Sequence, residues 1–138
     1  MKKLLKQLEK LNLPKDKFAI FGSGPLGVRG IREINDLDLV VLPELWQELV
    51  KKYPVKKIKI DPKRYKAFLT KNIEVASEPD LGFEAREMIE SADIINGIRF
   101  VNLKMTMEWK KKAGRERDLK DIELIKEYLQ KKKISLNC

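Results

Sequence analysis

The hydrophobic positions of this chain change rhythm several times. Leu4, Leu5, Leu8 and Leu11 recur at helical spacing among lysines, so residues 2–12 read as an amphipathic helix that Pro14 closes. Phe18-Ala-Ile-Phe21 is a continuous apolar run cut off by Gly22, the pattern of a short buried strand. A glycine-rich loop follows, Gly22-Ser-Gly-Pro-Leu-Gly27, and residues 28–35 carry no clear period. Residues 37–42 read as a second strand with Asp36 and Asp38 at its start. Pro43 opens a helix over residues 43–52, with Leu45, Leu49 and Val50 on its apolar face. Residues 56–60 alternate basic and apolar side chains, which suits a strand, and Asp61-Pro62 turns the chain. Residues 72–77 form another strand, containing Glu74. A loop spans residues 79–82, a helix 84–95 and a strand 98–103. Two basic helices follow, 105–113 and 119–132, with Gly114 between them as a helix C′ residue and Asp118 as the N-cap of the second.

No repeat, low-complexity tract or linker breaks this order. It predicts an α/β (α+β) fold: a mixed sheet flanked by helices, with a C-terminal helical segment, in one domain over residues 1–138. An N-terminal helix falls in 1–13, the sheet and its helices in 17–103, and the basic helices in 104–133. With 138 residues, 43% of them hydrophobic, there is material for a real core, which excludes a disordered tail, a collagen-like fibre and a disulfide mini-protein. Apolar stretches of six residues or fewer fall far short of the roughly 20 that span a bilayer. The early lysines are not followed by an apolar run, so residues 1–13 do not read as a secretory signal. The single cysteine, Cys138, has no internal partner, which fits a reducing, cytoplasmic setting. The absence of histidine removes Ser-His-Asp chemistry, histidine bases and histidine-ligated zinc together.

The net charge of +9 is uneven: +4 in residues 1–19, zero in 20–103 and +5 in 104–138. Such an excess favours anionic partners such as nucleotides, nucleic acid or phosphorylated substrates, although a solvated lysine surface accounts for the charge equally well.

Candidate chemistry concentrates between Phe21 and Val41. On a strand, Asp36 and Asp38 point to one face about 7 Å apart at Cα, while Leu37, Leu39 and Val41 point to the other. Two adjacent carboxylates repel unless water or a cation lies between them, and Mg²⁺ takes hard oxygen ligands of this kind. Gly22 lets the backbone approach a ligand, and N–H groups with the Ser23 hydroxyl can hold phosphate oxygens; an ordinary tight turn is the plainer alternative. Glu74, alone between Ile73 and Val75, is an awkward charge in an apolar strand. A neighbouring strand would bring it beside the aspartate pair, to bind metal or to take a proton from an attacking hydroxyl; Glu78 is the fallback. Gly22-Ser-Gly-Pro-Leu-Gly27 also matches the G-x-G-x-x-G dinucleotide pattern. Two glycines weaken the helix that should follow, and the acids sit at the wrong end of the second strand.

Gly22-Ser23, then Asp36-Leu-Asp38 in a hydrophobic strand, then Ile73-Glu74-Val75 resembles the nucleotidyltransferase superfamily of the DNA polymerase beta type, in its small single-domain prokaryotic members. Lys110, Arg115, Arg117, Asp118 and Asp121 match the C-terminal segment common in such proteins, so the likeness covers residues 17–128. The gap from Ser23 to Asp36 is a few residues longer than in many of them, which bears on substrate shape and catalytic poise. The resemblance implies that Asp36, Asp38 and Glu74 hold two Mg²⁺ ions, replaceable by Mn²⁺, and that Gly22 and Ser23 grip the phosphates of an NTP, with ATP as the suggested nucleotide. Arg29, Arg32, Lys110 or Arg115 would add cationic phosphate contacts. The implied activity is transfer of an NMP group to a hydroxyl of an RNA, protein or small-molecule acceptor. The competing readings are a catalytically inactive nucleotide- or RNA-binding module, as part of a toxin–antitoxin or other two-chain system or a homodimer, and a dinucleotide binder. A helix-turn-helix reading of the basic helices is disfavoured, because Leu119, Ile122, Ile125 and Leu129 are needed for packing.

Overall fold

The computed structural model describes residues 1–57, 65–76 and 84–137, with backbone alone at Lys57 and at 134–137. The elements run α1 (Lys2–Lys10), β1 (Phe18–Phe21), α2 (Gly24–Gly27), β2 (Leu37–Val41), α3 (Pro43–Lys52), β3 (Val55–Lys57), β4 (Tyr65–Thr70), β5 (Ile73–Ala76), α4 (Ala85–Glu90), β6 (Asp93–Ile95), β7 (Ile98–Phe100), α5 (Leu103–Ala113) and α6 (Glu116–Asn137). The strands form one mixed sheet in the order β3-β4-β5-β2-β1-β7-β6. Its centre is formed by β5, β2 and β1: β2 runs parallel to β5 and antiparallel to β1. Among the described residues no helix is long and apolar enough to cross a membrane.

Each central strand separates two layers. Leu37, Leu39 and Val41 face one side with Phe18, Ile20, Ile73 and Val75, and there they pack with Leu4 and Leu8 of α1 and Leu45 and Leu49 of α3. Ala19, Phe21, Val40 and Ala76 face the other side, beneath Ala85, Met88 and Ile89 of α4. That second face is only partly covered. Asp38 and Glu74, two residues before Val40 and Ala76, share its open end. The apolar layer thereby fixes the chemistry, because a one-residue slip of β2 would drive Asp38 into the core and expose Leu39.

Several features differ from the sequence pattern, among them the strand expected over 98–103, which ends at Phe100 and gives way to α5 at Leu103. β4 is a strand that the pattern left unassigned; its buried positions, Ala67 and Leu69, alternate in period two, but Phe68 between them blurs the alternation. The helix expected over 84–95 stops at Glu90, and Asp93–Ile95 pairs with β7 instead. Asn96 and Gly97 join those strands with φ of 52° and 78°, the positive values a tight two-residue hairpin needs. Asp118 lies one turn inside α6 rather than at its N-cap, where its Oδ2 accepts the Arg115 backbone N–H at 3.2 Å, as the third helical residue does in a capping box. Of the four C-terminal residues expected to pack, Ile125 is fully buried, whereas Leu119 is 51% exposed and Leu129 40%. Finally, the loop after Phe21 contains a single helical turn, α2. Gly114 does end α5, with φ of 65°. Glu78, Asp61-Pro62 and the 79–82 loop lie outside the described residues, as do the ends of the strands expected over 56–60 and 72–77.

The turn from β1 into α2 is tightly built. A Cβ at Gly24 would run into Cγ2 of Ile20, a branched side chain locked in the core. Gly24→Ala is therefore expected to cost about 1–3 kcal/mol of stability, measured by denaturant unfolding; an unchanged midpoint would contradict this packing.

Candidate functional site

A cleft of about 320 Å³ opens at the uncovered end of the sheet. Volumes of this order hold small-molecule ligands. One wall is made by the sheet and by the segment entering β2: Gly22, Ser23, Asp36, Asp38, Lys66 and Glu74. The other is made by Arg32 and the C-terminal helices, through Trp109, Lys110, Arg115, Arg117, Asp118 and Asp121. Trp109 stands edge-on to Phe21, ring centroids 5.5 Å apart, where the apolar layer meets the cleft.

The acidic wall follows from strand pairing. β5 lies beside β2, and Glu74 is in register with Asp38. On the other side Asp38 pairs with Phe21, next to the Gly22 turn. Gly22 has φ of 70°, and a Cβ there would sit 2.9 Å from Asp38 Oδ2. A side chain at position 22 would thus be strained and would crowd the carboxylate. Asp38 is pushed up to about 6, first by burial and then by the negative charges of Glu74 and Asp36, with Lys66 and Lys110 opposing. Lys66, on β4, sends its Nζ to Glu74 Oε2 at 3.1 Å. Among the described residues, no three acidic side chains stand together closely enough to hold a metal ion as placed. The donor set itself is suitable for a hard divalent cation, being all carboxylate oxygen.

The chain matches no family model, no curated protein and no solved structure.

The second wall is a buried ion network. Asp121 accepts from Arg32 Nε at 2.7 Å and Nη2 at 2.9 Å, and from Lys110 Nζ at 2.8 Å. Burial opposes ionisation of Asp121, yet the hydrogen bonds from Arg32 and Lys110 outweigh it and lower its pKa below the usual carboxylate value. The bond to Asp121 in turn raises Arg32. Lys110 is 2% exposed and also faces Asp118 Oδ1 at 3.8 Å. Asp118, equally buried, holds the Arg115 guanidinium with Nε at 2.7 Å. Arg32 Nη2 finally donates to Ser23 Oγ at 2.6 Å, which leaves the Ser23 hydroxyl proton to be donated elsewhere.

The cations nominated for phosphate contacts therefore occupy different positions. Arg29 does not line the cleft: its guanidinium holds Pro25 O at 2.8 Å and Asp93 at 2.6 Å, because the helical turn of α2 carries it toward β6. Arg32 and Lys110 line the cleft but are committed to Asp121. Arg115 lines it with a half-exposed side chain held on Asp118. Arg117, matched only as part of the tail pattern, also lines the cleft and has no ion pair among the described residues. Lys66 and Trp109 also line the cleft, outside the sequence motifs. The period-two pattern of Tyr65–Thr70 would have placed Lys66 on the face of Glu74; Trp109 carries no comparable sequence signal.

The dinucleotide reading fails on topology. In that motif the first two strands are parallel and joined by a full crossover helix, whereas β1 and β2 are antiparallel and α2 is one turn long.

Proposed function

We propose that the protein is a nucleotidyltransferase dependent on Mg²⁺ or Mn²⁺, moving a nucleoside monophosphate from an NTP to an acceptor hydroxyl. The observation that carries this reading is the register of Asp38 with Glu74 beside the Gly22-Ser23 turn. Residues far apart in the chain meet there in the order seen in the polymerase beta type superfamily. Asp36, Asp38 and Glu74 would hold the divalent cations, which when bound neutralise triphosphate charge and acidify the acceptor hydroxyl.

The protein's own groups account for the rest. The Ser23 hydroxyl, oriented by Arg32, donates to a phosphate oxygen. Arg115 and Arg117 supply positive charge from the opposite wall. In the transfer, the acceptor oxygen bonds to the α-phosphorus, the bond to the α–β bridging oxygen breaks, and pyrophosphate leaves with that electron pair. The hydroxyl proton passes to a carboxylate of the acidic wall. Asp38 must be ionised for either role and is held up to about 6 in the cation-free protein, so protons compete with the divalent cation there and the cation concentration needed for transfer is expected to rise as pH falls below about 6.

Incubation of the protein with labelled NTP, Mg²⁺ and panels of RNAs and proteins tests the reading. Label transfer is expected, and Asp36→Ala or Asp38→Ala should lower it by about 100-fold or more. Equal transfer by these variants would overturn it. A second reading, a nucleotide- or RNA-binding module without turnover, draws on the pairing of Glu74 with Lys66 and the absence of a gathered acidic trio among the described residues. NTP binding that persists without a divalent ion, with no turnover on any acceptor, would favour that module.

A further inference from the structure

Lys66 lies in the cleft for a reason the transfer scheme does not use. It is placed on β4 two residues from Phe68, the register partner of Glu74, so its side chain shares the open face. Its ammonium is 3.1 Å from Glu74 Oε2, and it is one of the two cations that act on Asp38. The pair is not sealed: the Lys66 and Glu74 side chains are 39% and 29% exposed. Ion pairs with this much water around them are weak. An ammonium held in this way neutralises Glu74 without locking it.

Resting on the reading of this cleft as a divalent-cation site, we infer that Lys66 is a built-in counter-ion that competes with the divalent cation for Glu74. In the cation-free protein Lys66 holds Glu74, and the acidic trio is not gathered. When a divalent cation arrives, Glu74 exchanges one positive partner for another and Lys66 swings into solvent. The competition weakens cation binding, so the site fills more readily when a second source of negative charge, such as a triphosphate, adds ligands. Lys66 acts through Glu74 and is a positioning residue.

Manganese titration by calorimetry and by electron paramagnetic resonance, without nucleotide, tests this on wild type, Lys66→Ala, Lys66→Arg, Glu74→Gln and the Lys66→Ala/Glu74→Gln double variant. Thermal unfolding of each checks that it is folded. Lys66→Ala is expected to bind Mn²⁺ about fivefold more tightly or better, the scale of a lost exposed ion pair plus one removed positive charge. Lys66→Arg, which keeps the pair, should match wild type. In the Glu74→Gln background most of the gain should vanish. Unchanged or weaker binding by Lys66→Ala overturns the inference and leaves the cation site standing. Binding by no variant overturns both.

Discussion

Lys110→Ala is expected to destabilise the protein by about 3 kcal/mol or more, the largest loss from any single change near the cleft. Lys110, Asp118 and Asp121 are 2%, 1% and 4% exposed, so water cannot replace the missing ammonium. Arg32 and Arg115 would remain, but each already has its own geometry to satisfy on Asp121 and Asp118. The removed stem also leaves a cavity at the junction of α5 and α6. Lys110→Met separates the two contributions by keeping most of the volume without the charge, and should recover only part of the loss. The effect should be pH-dependent in wild type. Asp121 has its folded pKa lowered, so its contribution is present above its ordinary carboxylate value and lost as pH falls through the lowered one. Denaturant unfolding of the three proteins measures this; a loss under about 1 kcal/mol would mean that the network is solvated and weak.

Asp38→Asn is expected to do the opposite to stability and to abolish transfer. The folded protein binds a proton at Asp38 more tightly than the unfolded chain does, because its value rises from 3.8 to about 6. Stability therefore falls as pH rises between those values and stays lower above them. At roughly 1.4 kcal/mol per unit, the penalty at pH 7 is about 2–3 kcal/mol. An amide at position 38 cannot ionise, so the variant should be more stable than wild type at pH 7 and should lose the difference near pH 4. A gain in stability coupled to a loss of transfer is what a functional carboxylate held against its own burial, and then against neighbouring charge, produces. Mg²⁺ should raise the melting temperature of wild type and leave that of the variant nearly unchanged. Equal pH profiles for the two proteins would show that Asp38 is not under strain.

Much of this was legible in the sequence. Leu37, Leu39 and Val41 announce the buried face of β2, and their alternation with Asp38 puts that carboxylate on the open side. The lone charge of Glu74 in an apolar run points to a partner on a neighbouring strand, and β2 supplies it in Asp38. What the sequence could not give was neighbourhood at long range. Arg32 reads as a phosphate ligand until α6 brings Asp121 to it, 89 positions away. Arg29 reads the same way until the helical turn of α2 aims it at Asp93. Lys66 carries only a faint sequence signal, because Phe68 sits half-buried between Ala67 and Leu69 and obscures the period. The helix expected over 84–95 overran a hairpin whose Asn96-Gly97 turn was the stronger local signal.

The decisive measurement is a crystal structure with Mn²⁺ and a non-hydrolysable NTP analogue, read by anomalous scattering. Metal peaks in contact with Asp36, Asp38 and Glu74, with the triphosphate against Ser23 and the Glu74–Lys66 pair opened, are the expected result. A nucleotide bound elsewhere, or an analogue seated in the cleft with no metal at the three carboxylates, would contradict it.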